Sequence, residues 1–177
     1  FNLGTFSEFA LVRSEALTPL PAHLPMHEAC ILGCGVMTGV GSVINSANVQ
    51  AGESVVVLGC GGVGLSVIQG ARIAGAKSII ALDKRIESLE RARRMGATHT
   101  WRIEDNDAKF EAAVAHVRSL TDGRGADYAF EATGQHSLAF APLKFIRHGG
   151  VALQLSGAHG EVSASMLDFW WDKRYLT

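Results

Sequence analysis

The 177-residue sequence predicts an α/β protein built on a doubly wound parallel sheet with helices on both faces. From Glu53 onward, short apolar runs alternate with longer segments of helical periodicity, joined by short loops. The apolar runs carry Val, Ile, Leu and Ala on both faces, as strands do when helices cover both sides of a sheet. Right-handed crossovers then predict five or nearly six strands in the order 3-2-1-4-5.

The strands are predicted from short apolar runs bounded by glycine and polar residues. In chain order they are Ser54–Leu58, Ser78–Asp83, His99–Trp101, Asp127–Ala132 and Val151–Ser156. Four helices are predicted between them, at Gly64–Ala74, Ile86–Met95, Asp107–Leu120 and Leu138–Phe145. The first two stop at Gly75 and Gly96, and the third ends in the turn Asp122–Gly125. The fourth has the weakest pattern because Pro142 interrupts it.

The pattern before Glu53 is different. The segment Thr5–Val12 alternates like one antiparallel strand, and residues 17–25 form a linker punctuated by proline. Met26–Gly33 and Val36–Ala47 are predicted as two short helices. We therefore expect residues 1–35 to be the remnant of another domain and residues 36–177 to be a cofactor domain, cut before or within its sixth strand.

Composition excludes several classes of protein. The chain is 47% hydrophobic and 19% charged with a net charge of −1, so no basic surface for nucleic acid is indicated. Glycine and polar residues break the apolar runs before they reach membrane-spanning length, and no membrane segment is predicted. The three cysteines and the absence of a signal peptide favour free thiols and a cytoplasmic location.

Four glycines lie where the first predicted strand gives way to a helix. Gly59, Gly61 and Gly64 form the pattern G-x-G-x-x-G, and Gly62 stands within it. These glycines would allow a tight turn, close approach of the backbone to a pyrophosphate, and close helix–strand contact. Asp83 ends the second strand, 19 residues after Gly64, where the ribose of a dinucleotide would lie. The sequence therefore predicts a dinucleotide site.

Asp83 also favours NAD over NADP. A carboxylate accepts hydrogen bonds from the ribose hydroxyls and repels a 2′-phosphate by about 1–4 kcal/mol at about 4 Å, depending on the dielectric. Lys84 and Arg85 follow, and pairing with a phosphate would reduce this repulsion. The simpler interpretation is that both are solvated charges at the start of a helix.

A longer stretch carries a family resemblance. The segment Gly33–Val43, GCGVMTGVGSV, precedes the G-x-G-x-x-G motif at a fixed distance, and FEATG follows at Phe130–Gly134. With these motifs the sequence resembles the zinc-dependent alcohol dehydrogenases of the medium-chain dehydrogenase/reductase superfamily along nearly its whole length. The resemblance implies a Rossmann cofactor domain, preceded by the end of a GroES-like catalytic domain.

The resemblance also implies roles for single residues. Cys34, which residue type alone would place in the interior, matches the last cysteine ligand of the catalytic zinc. Thr38 and Val63 match positions that pack against the nicotinamide ring. Thr133 lies near the adenosine, and Leu155 and Gly157 match backbone positions beside the carboxamide. The cofactor set is completed by residues already introduced, Gly59, Gly61, Gly62, Gly64, Asp83 and Lys84.

The implied reaction is hydride transfer between an alcohol or aldehyde and nicotinamide, assisted by zinc. A catalytic zinc needs three protein ligands, and the resemblance implies that the others lie upstream of Phe1. The isolated chain is therefore expected to be inactive, and the longer enzyme to be a homo-oligomer. Three alternatives remain: a zinc-free quinone or enoyl reductase of the same superfamily, a methyltransferase, and a non-catalytic NAD-binding module.

Overall fold

The computed structural model describes residues 6–107, 109–157 and 160–177. These residues form two compact units, one ending at Ile31 and the other running from Leu32 to Thr177. The first unit contains a 3₁₀ turn at Ser14–Ala16 and the short helix α1, Met26–Ala29. The second contains the sheet and the candidate site.

The second unit is built on a six-stranded, all-parallel sheet in the order β3-β2-β1-β4-β5-β6. The strands are β1 Ser54–Leu58, β2 Ser78–Asp83, β3 His99–Arg102, β4 Ala126–Glu131, β5 Ile146–Gln154 and β6 Arg174–Leu176. The predicted α/β class and strand order are confirmed. Because the order reverses between β1 and β4, the loops after these strands diverge and leave a crevice at the carboxyl edge of the sheet.

Helices cover both faces of this sheet. They are α2 Met37–Gly41, α3 Gly62–Ile73, α4 Ile86–Met95 and α5 Glu111–Ser119, with π-helical turns at Leu32–Val36 and Ser42–Ser46. Alternate residues of each strand point to opposite sides, and both sides are buried. Val55, Val57 and Phe130 pack with α3 and α4, whereas Val56 and Leu58 pack with α5 on the other face.

The third predicted helix, Asp107–Leu120, begins later than expected, at Glu111. Phe110 has a left-handed backbone with φ of 63°, which no helix can contain. Asp107 caps the helix instead, since its carboxylate accepts hydrogen bonds from the backbone N–H groups of Ala112 at 3.2 Å and Ala113 at 3.1 Å. Ala108 of the predicted range lies outside the described residues.

Two other predicted elements are wrong. The helix expected at Leu138–Phe145 is replaced by 3₁₀ turns at His136–Leu138 and Ala141–Lys144, because Pro142 has no N–H for a continuous helix. The strand expected at Thr5–Val12 is not formed at Phe6–Val12, and Thr5 lies outside the described residues. A strand needs a partner for its N–H and C=O groups, and no neighbouring segment of the described chain supplies one.

The sixth strand was expected to be missing or cut, yet β6 pairs with β5 from Val151↔Arg174 to Leu153↔Leu176. The edge of β5 at these residues is therefore covered.

The stretch Met26–Ser46 is mostly helical and has a mean hydropathy of 1.5. By length and composition alone it is apolar enough to cross a membrane, as are many core helices of globular proteins. Within it, α2 packs closely on α3: a Cβ built on Gly39 would lie 2.4 Å from Cβ of Ser66. This contact gives part of the stretch a packing role in the sheet unit.

Candidate functional site

The glycine turn follows β1 at the carboxyl edge of the sheet. Gly59 has a φ of 92°, and a Cβ there would lie 2.8 Å from the carbonyl carbon of Ala132. A Cβ on Gly64 would lie 1.9 Å from the carbonyl oxygen of Gly59. Both positions therefore require glycine, one for its backbone conformation and the other for close contact between helix and turn.

Gly61 and Gly62 are different, because a Cβ at either position would meet no protein atom within 4 Å. Gly61 occupies the N-cap position of α3, so the cap residue has no side chain to accept hydrogen bonds from the first N–H groups of the helix. These donors and the positive end of the helix dipole attract an anion. The bare backbone leaves the space that a phosphate group needs.

Asp83 joins the end of β2 to this turn. One carboxylate oxygen accepts a hydrogen bond from the backbone N–H of Cys60 at 2.8 Å, and the other accepts one from the backbone N–H of Arg85 at 2.9 Å. The backbone N–H of Gly59 donates to the carbonyl of Leu82 at 2.8 Å. The half-buried carboxylate is thus held in position and has further acceptor sites.

A cleft of about 530 Å³ opens beside the turn. Of the residues predicted for the cofactor, those that line it are Gly59, Gly61, Asp83, Lys84 and Thr133. Sequence reasoning missed its apolar lining by Ile103, Phe110 and Leu138; the first two lie in the connection between β3 and α5, and Leu138 ends a 3₁₀ turn after β4. A cleft lined by apolar side chains and by a carboxylate suits the adenosine half of a dinucleotide.

Lys84 is paired across this cleft. Its ammonium lies 2.9 Å from a carboxylate oxygen of Asp105, and this hydrogen bond lowers the pKa of Asp105. Arg102 donates to the backbone carbonyl of Lys84 at 3.2 Å. The positive charge of Lys84 is therefore balanced by a neighbouring carboxylate.

Glu131 is a buried carboxylate that the sequence analysis did not single out. It is 0% exposed at the end of β4. It accepts hydrogen bonds from the N–H of Thr133 at 2.6 Å and from the hydroxyls of Thr133 and Ser156. The loops after β4 and β5 are thereby tied to one carboxylate. A single acid within the apolar FEATG segment is the sequence signal that could have drawn attention to it.

Other predicted cofactor residues lie outside the lining of the cleft. Thr38 is exposed on α2, next to Gly39, whose built Cβ would lie 2.6 Å from the carbonyl oxygen of Val63. This contact brings Thr38 and Val63 to the same helix junction. Leu155 is half-buried against the core, and its N–H donates to the carbonyl of Glu131 at 3.0 Å. Gly157 is exposed beyond β5.

The cysteines do not cluster. Cys34 is exposed, so the expectation of burial drawn from residue type is wrong; a π-helical turn rather than a core strand holds it. Cys60 is fully buried, and burial raises the pKa of its thiol to about 12, with Asp83 adding to the effect. Among the described residues, no three His, Cys, Asp or Glu side chains come together as metal ligands would. Zinc therefore does not fit these residues alone.

Comparison with known proteins identifies this architecture. The sequence profile of the family described as zinc-binding dehydrogenase matches residues 62–176. The chain belongs to this zinc-binding dehydrogenase family.

Named relatives of the chain are dehydrogenases as well. The S-(hydroxymethyl)glutathione dehydrogenase of Saccharomyces cerevisiae is 37% identical over 163 residues, covering 90% of this chain and 42% of the yeast protein. The class-3 alcohol dehydrogenase of Myxine glutinosa is also 37% identical over 163 residues, with 90% and 42% covered. The chain thus spans less than half the length of the curated relatives that it matches.

Solved structures give the same result for the fold. Benzyl alcohol dehydrogenase from Acinetobacter calcoaceticus superposes with a TM-score of 0.78 at 29% identity, over 89% of this chain and 42% of that one. The alcohol dehydrogenase of Thermus sp. ATN1 gives 0.76 at 30% identity, over 90% and 45%.

Proposed function

We propose that this chain is the cofactor-binding part of an NAD-dependent, zinc-dependent alcohol dehydrogenase, which transfers hydride between an alcohol or aldehyde and nicotinamide. One observation carries the proposal. Gly61 and Gly62 leave open space at the start of α3, beside a cleft at the sheet crevice that the Asp83 carboxylate also lines. Family membership and the dehydrogenase names of the relatives support the reaction class.

The residues of the chain bind and orient the cofactor. The first N–H groups of α3 receive the pyrophosphate. Asp83 accepts from the ribose hydroxyls, and Thr133 stands beside the adenosine. At the other end, Thr38 and Val63 contact the nicotinamide ring, and the backbone at Leu155 and Gly157 orients its carboxamide. When bound, nicotinamide supplies the hydride chemistry.

We propose NAD rather than NADP as the cofactor. A 2′-phosphate would meet the carboxylate of Asp83, and Lys84 is already paired with Asp105 at 2.9 Å. The cation next to Asp83 is therefore less able to compensate a phosphate than the sequence alone indicates.

The zinc of such an enzyme needs ligands in addition to Cys34, because a catalytic zinc has three protein ligands and an open position. Cys34 is proposed as one of them, and the others belong to a part of the enzyme outside this chain. We further propose that the enzyme is a cytoplasmic homo-oligomer.

The test is a calorimetric titration of the purified protein with NAD and, separately, with S-adenosylmethionine. We expect NAD alone to bind. The Cβ of Gly61→Val would enter this open space with no protein atom within 4 Å, so the variant should abolish NAD binding while the circular dichroism spectrum stays unchanged. Unaltered NAD affinity in Gly61→Val, or preference for S-adenosylmethionine, would refute the proposal.

Binding of NAD by a full-length enzyme that contains no zinc and reduces quinones or enoyl thioesters would favour the zinc-free reductase instead. A full-length protein that binds NAD and transfers no hydride would be the non-catalytic NAD-binding module.

A further inference from the structure

A second cleft, of about 400 Å³, lies away from the glycine turn. It is lined by α5, by the start of β5 and by the segment leading into β6. Among the residues that the structure describes, none lines both clefts. Its volume lies within the range of small-ligand sites, about 300–1,000 Å³.

The second cleft is strongly basic. Five Lys and Arg side chains and one histidine line it against two carboxylates, although the whole chain carries a net charge of −1. The cations are Lys109, Arg118, Arg124, Lys144 and Lys173. They come from different elements, so they are not the solvated face of one helix: Arg118 lies on α5, Arg124 in the following turn and Lys173 before β6.

Within the described ranges, no ion pair involves any of these five cations, although Glu111 and Asp168 also line the cleft. The ammonium of Lys173 donates to the carbonyl of Leu143 at 2.6 Å, and that of Lys144 donates to the carbonyl of Lys109 at 3.3 Å. Backbone carbonyls therefore fix two ammonium groups in place without forming an ion pair with either.

Burial lowers the pKa of Lys173, the carboxylate of Asp168 acts in the opposite direction, and the neighbouring Arg118 lowers the pKa by a smaller amount. A bound anion would relieve the repulsion between the two cations.

One wall of the cleft is held in an unusual conformation. Trp171 and Asp172 have φ values of 67° and 57°, which are uncommon for residues other than glycine. The indole of Trp171 stacks on the ring of His148 with 4.8 Å between centroids, and the N–H of Gly149 donates to its carbonyl at 2.8 Å. Such strain persists where the surrounding structure enforces it, and it is concentrated at functional sites.

We propose that the second cleft is a binding site for an oligophosphate, a small ligand carrying several phosphate groups, separate from the dinucleotide site. Several convergent cations match the charge of adjacent phosphates, and the guanidinium groups of Arg118 and Arg124 can bind phosphate oxygens in a bidentate manner.

The experiment is a calorimetric titration of the purified protein with inorganic tripolyphosphate at low ionic strength. With NAD saturating, so that the glycine turn is occupied, we expect one molecule to bind per chain, more weakly as salt is added. The variant Arg118→Gln/Arg124→Gln removes two exposed cations and should weaken binding by about tenfold or more. Lys77→Gln, which removes an exposed lysine that lines neither cleft, is the matched control and should leave the affinity for tripolyphosphate unchanged.

Lys173→Met gives a second measurement of the same site. It should also weaken tripolyphosphate binding, with thermal unfolding recorded to confirm that the protein folds. Three results would overturn the proposal: no binding by the wild type, equal binding by the Arg118→Gln/Arg124→Gln variant, or displacement of tripolyphosphate by NAD. Tighter binding of citrate than of tripolyphosphate would overturn the assignment to phosphate. None of these results would refute NAD binding at the glycine turn.

Discussion

Asp83 both tethers the glycine turn and faces the cleft, and the two roles can be separated. In Asp83→Ser the ribose acceptor and the repulsion of a 2′-phosphate are lost, so NAD should bind about 10- to 100-fold more weakly while NADP gains relative to it. Asp83→Asn removes the charge and keeps one acceptor oxygen for the N–H of Cys60, and it serves as the control. Titration of wild type, Asp83→Ser and Asp83→Asn with both cofactors measures the ratio of NAD affinity to NADP affinity. An NAD/NADP ratio unchanged in Asp83→Ser would remove Asp83 from the site.

Asp127 is expected to make the stability of the protein depend on pH. Burial acts to raise the pKa of Asp127, but hydrogen bonds from Ser54 and the guanidinium of Arg147, 2.6 Å away, outweigh it, so the pKa is lowered. A lowered pKa contributes stability above the unfolded value of about 3.9, and this stability is lost as the pH falls through the folded pKa. Acid should therefore reduce the contribution of the Asp127 carboxylate to the free energy of unfolding.

The matching variant is Arg147→Met. It should lower the free energy of unfolding by about 1–3 kcal/mol at pH 7, and the difference from wild type should shrink as the pH falls below about 3.9, where the carboxyl of the unfolded chain is protonated, toward the lower pKa of Asp127 in the folded protein. Urea unfolding at pH 7 and pH 3 measures it. Arg102→Met, which removes an exposed pair with Glu104, is the control and should change little. If Arg147→Met lowers the free energy of unfolding equally at pH 7 and pH 3, Arg147 stabilises the fold by packing alone.

How much of the site could be predicted depends on how local each signal is. Gly59, Gly61 and Asp83 were predicted because the turn, the helix start and the strand end all lie within one short unit of sequence. The pairing of Lys84 with Asp105 and the hydrogen bonds that tie Ser156 to Glu131 join residues from different loops. Only the folded sheet brings those loops together, so no spacing in the sequence predicts them.

The junction of α2 and α3 depends on one glycine. A Cβ on Gly39 would lie 2.4 Å from Cβ of Ser66 and 2.6 Å from the carbonyl oxygen of Val63, so Gly39→Ala should destabilise the protein by about 1–3 kcal/mol. It should also weaken NAD binding, since the first turn of α3 must shift. Gly41→Ala on the same helix is the control: its Cβ would be no closer than 3.8 Å to Asn45, and stability should be unchanged or slightly higher.

Chemical unfolding and NAD titration of the two glycine variants measure both effects. Equal stability of Gly39→Ala and Gly41→Ala would mean that the helices separate at little cost.

Sequence patterns were most reliable for elements whose hydrogen bonds and end signals all lie within one short segment. The range of α4 was predicted as Ile86–Met95 and is found there, since a charged outer face and Gly96 define both its pattern and its end. The Phe6–Val12 segment has strand periodicity but forms no strand, because a strand is stable only with a partner. The start of α5 was misplaced because the left-handed Phe110 leaves no mark in the hydrophobic pattern.

For the whole molecule, the 177-residue chain by itself is expected to bind no stoichiometric zinc and to oxidise no alcohol. Among the described residues Cys34 has no second and third ligand beside it. We also expect the chain to self-associate. Pairing along β5 is not the reason, because β6 covers that edge; the reason is exposed apolar side chains such as Phe9, Leu11 and Met37, which are 88%, 96% and 64% accessible.

Metal analysis, an NAD-reduction assay and light scattering test these three expectations on the purified chain. Phe9→Ser/Leu11→Ser should reduce the scattering, and Cys30→Ser is a control that should not. Tightly bound zinc with measurable turnover would contradict the first two expectations, and a monomer at high concentration would contradict the third.

The reversal of strand order at β1 has a consequence for synthesis on the ribosome. One neighbour of β1 is β2, which begins about 20 residues later, whereas the other is β4, which begins about 70 residues later, at Ala126. At about 5–20 residues per second, that delay amounts to several seconds. During this time β1 to β3 can assemble while the apolar edge of Val55–Leu58 has no partner. The strand that ends at the glycine turn thus also has an unpaired apolar edge at which the nascent chain can aggregate.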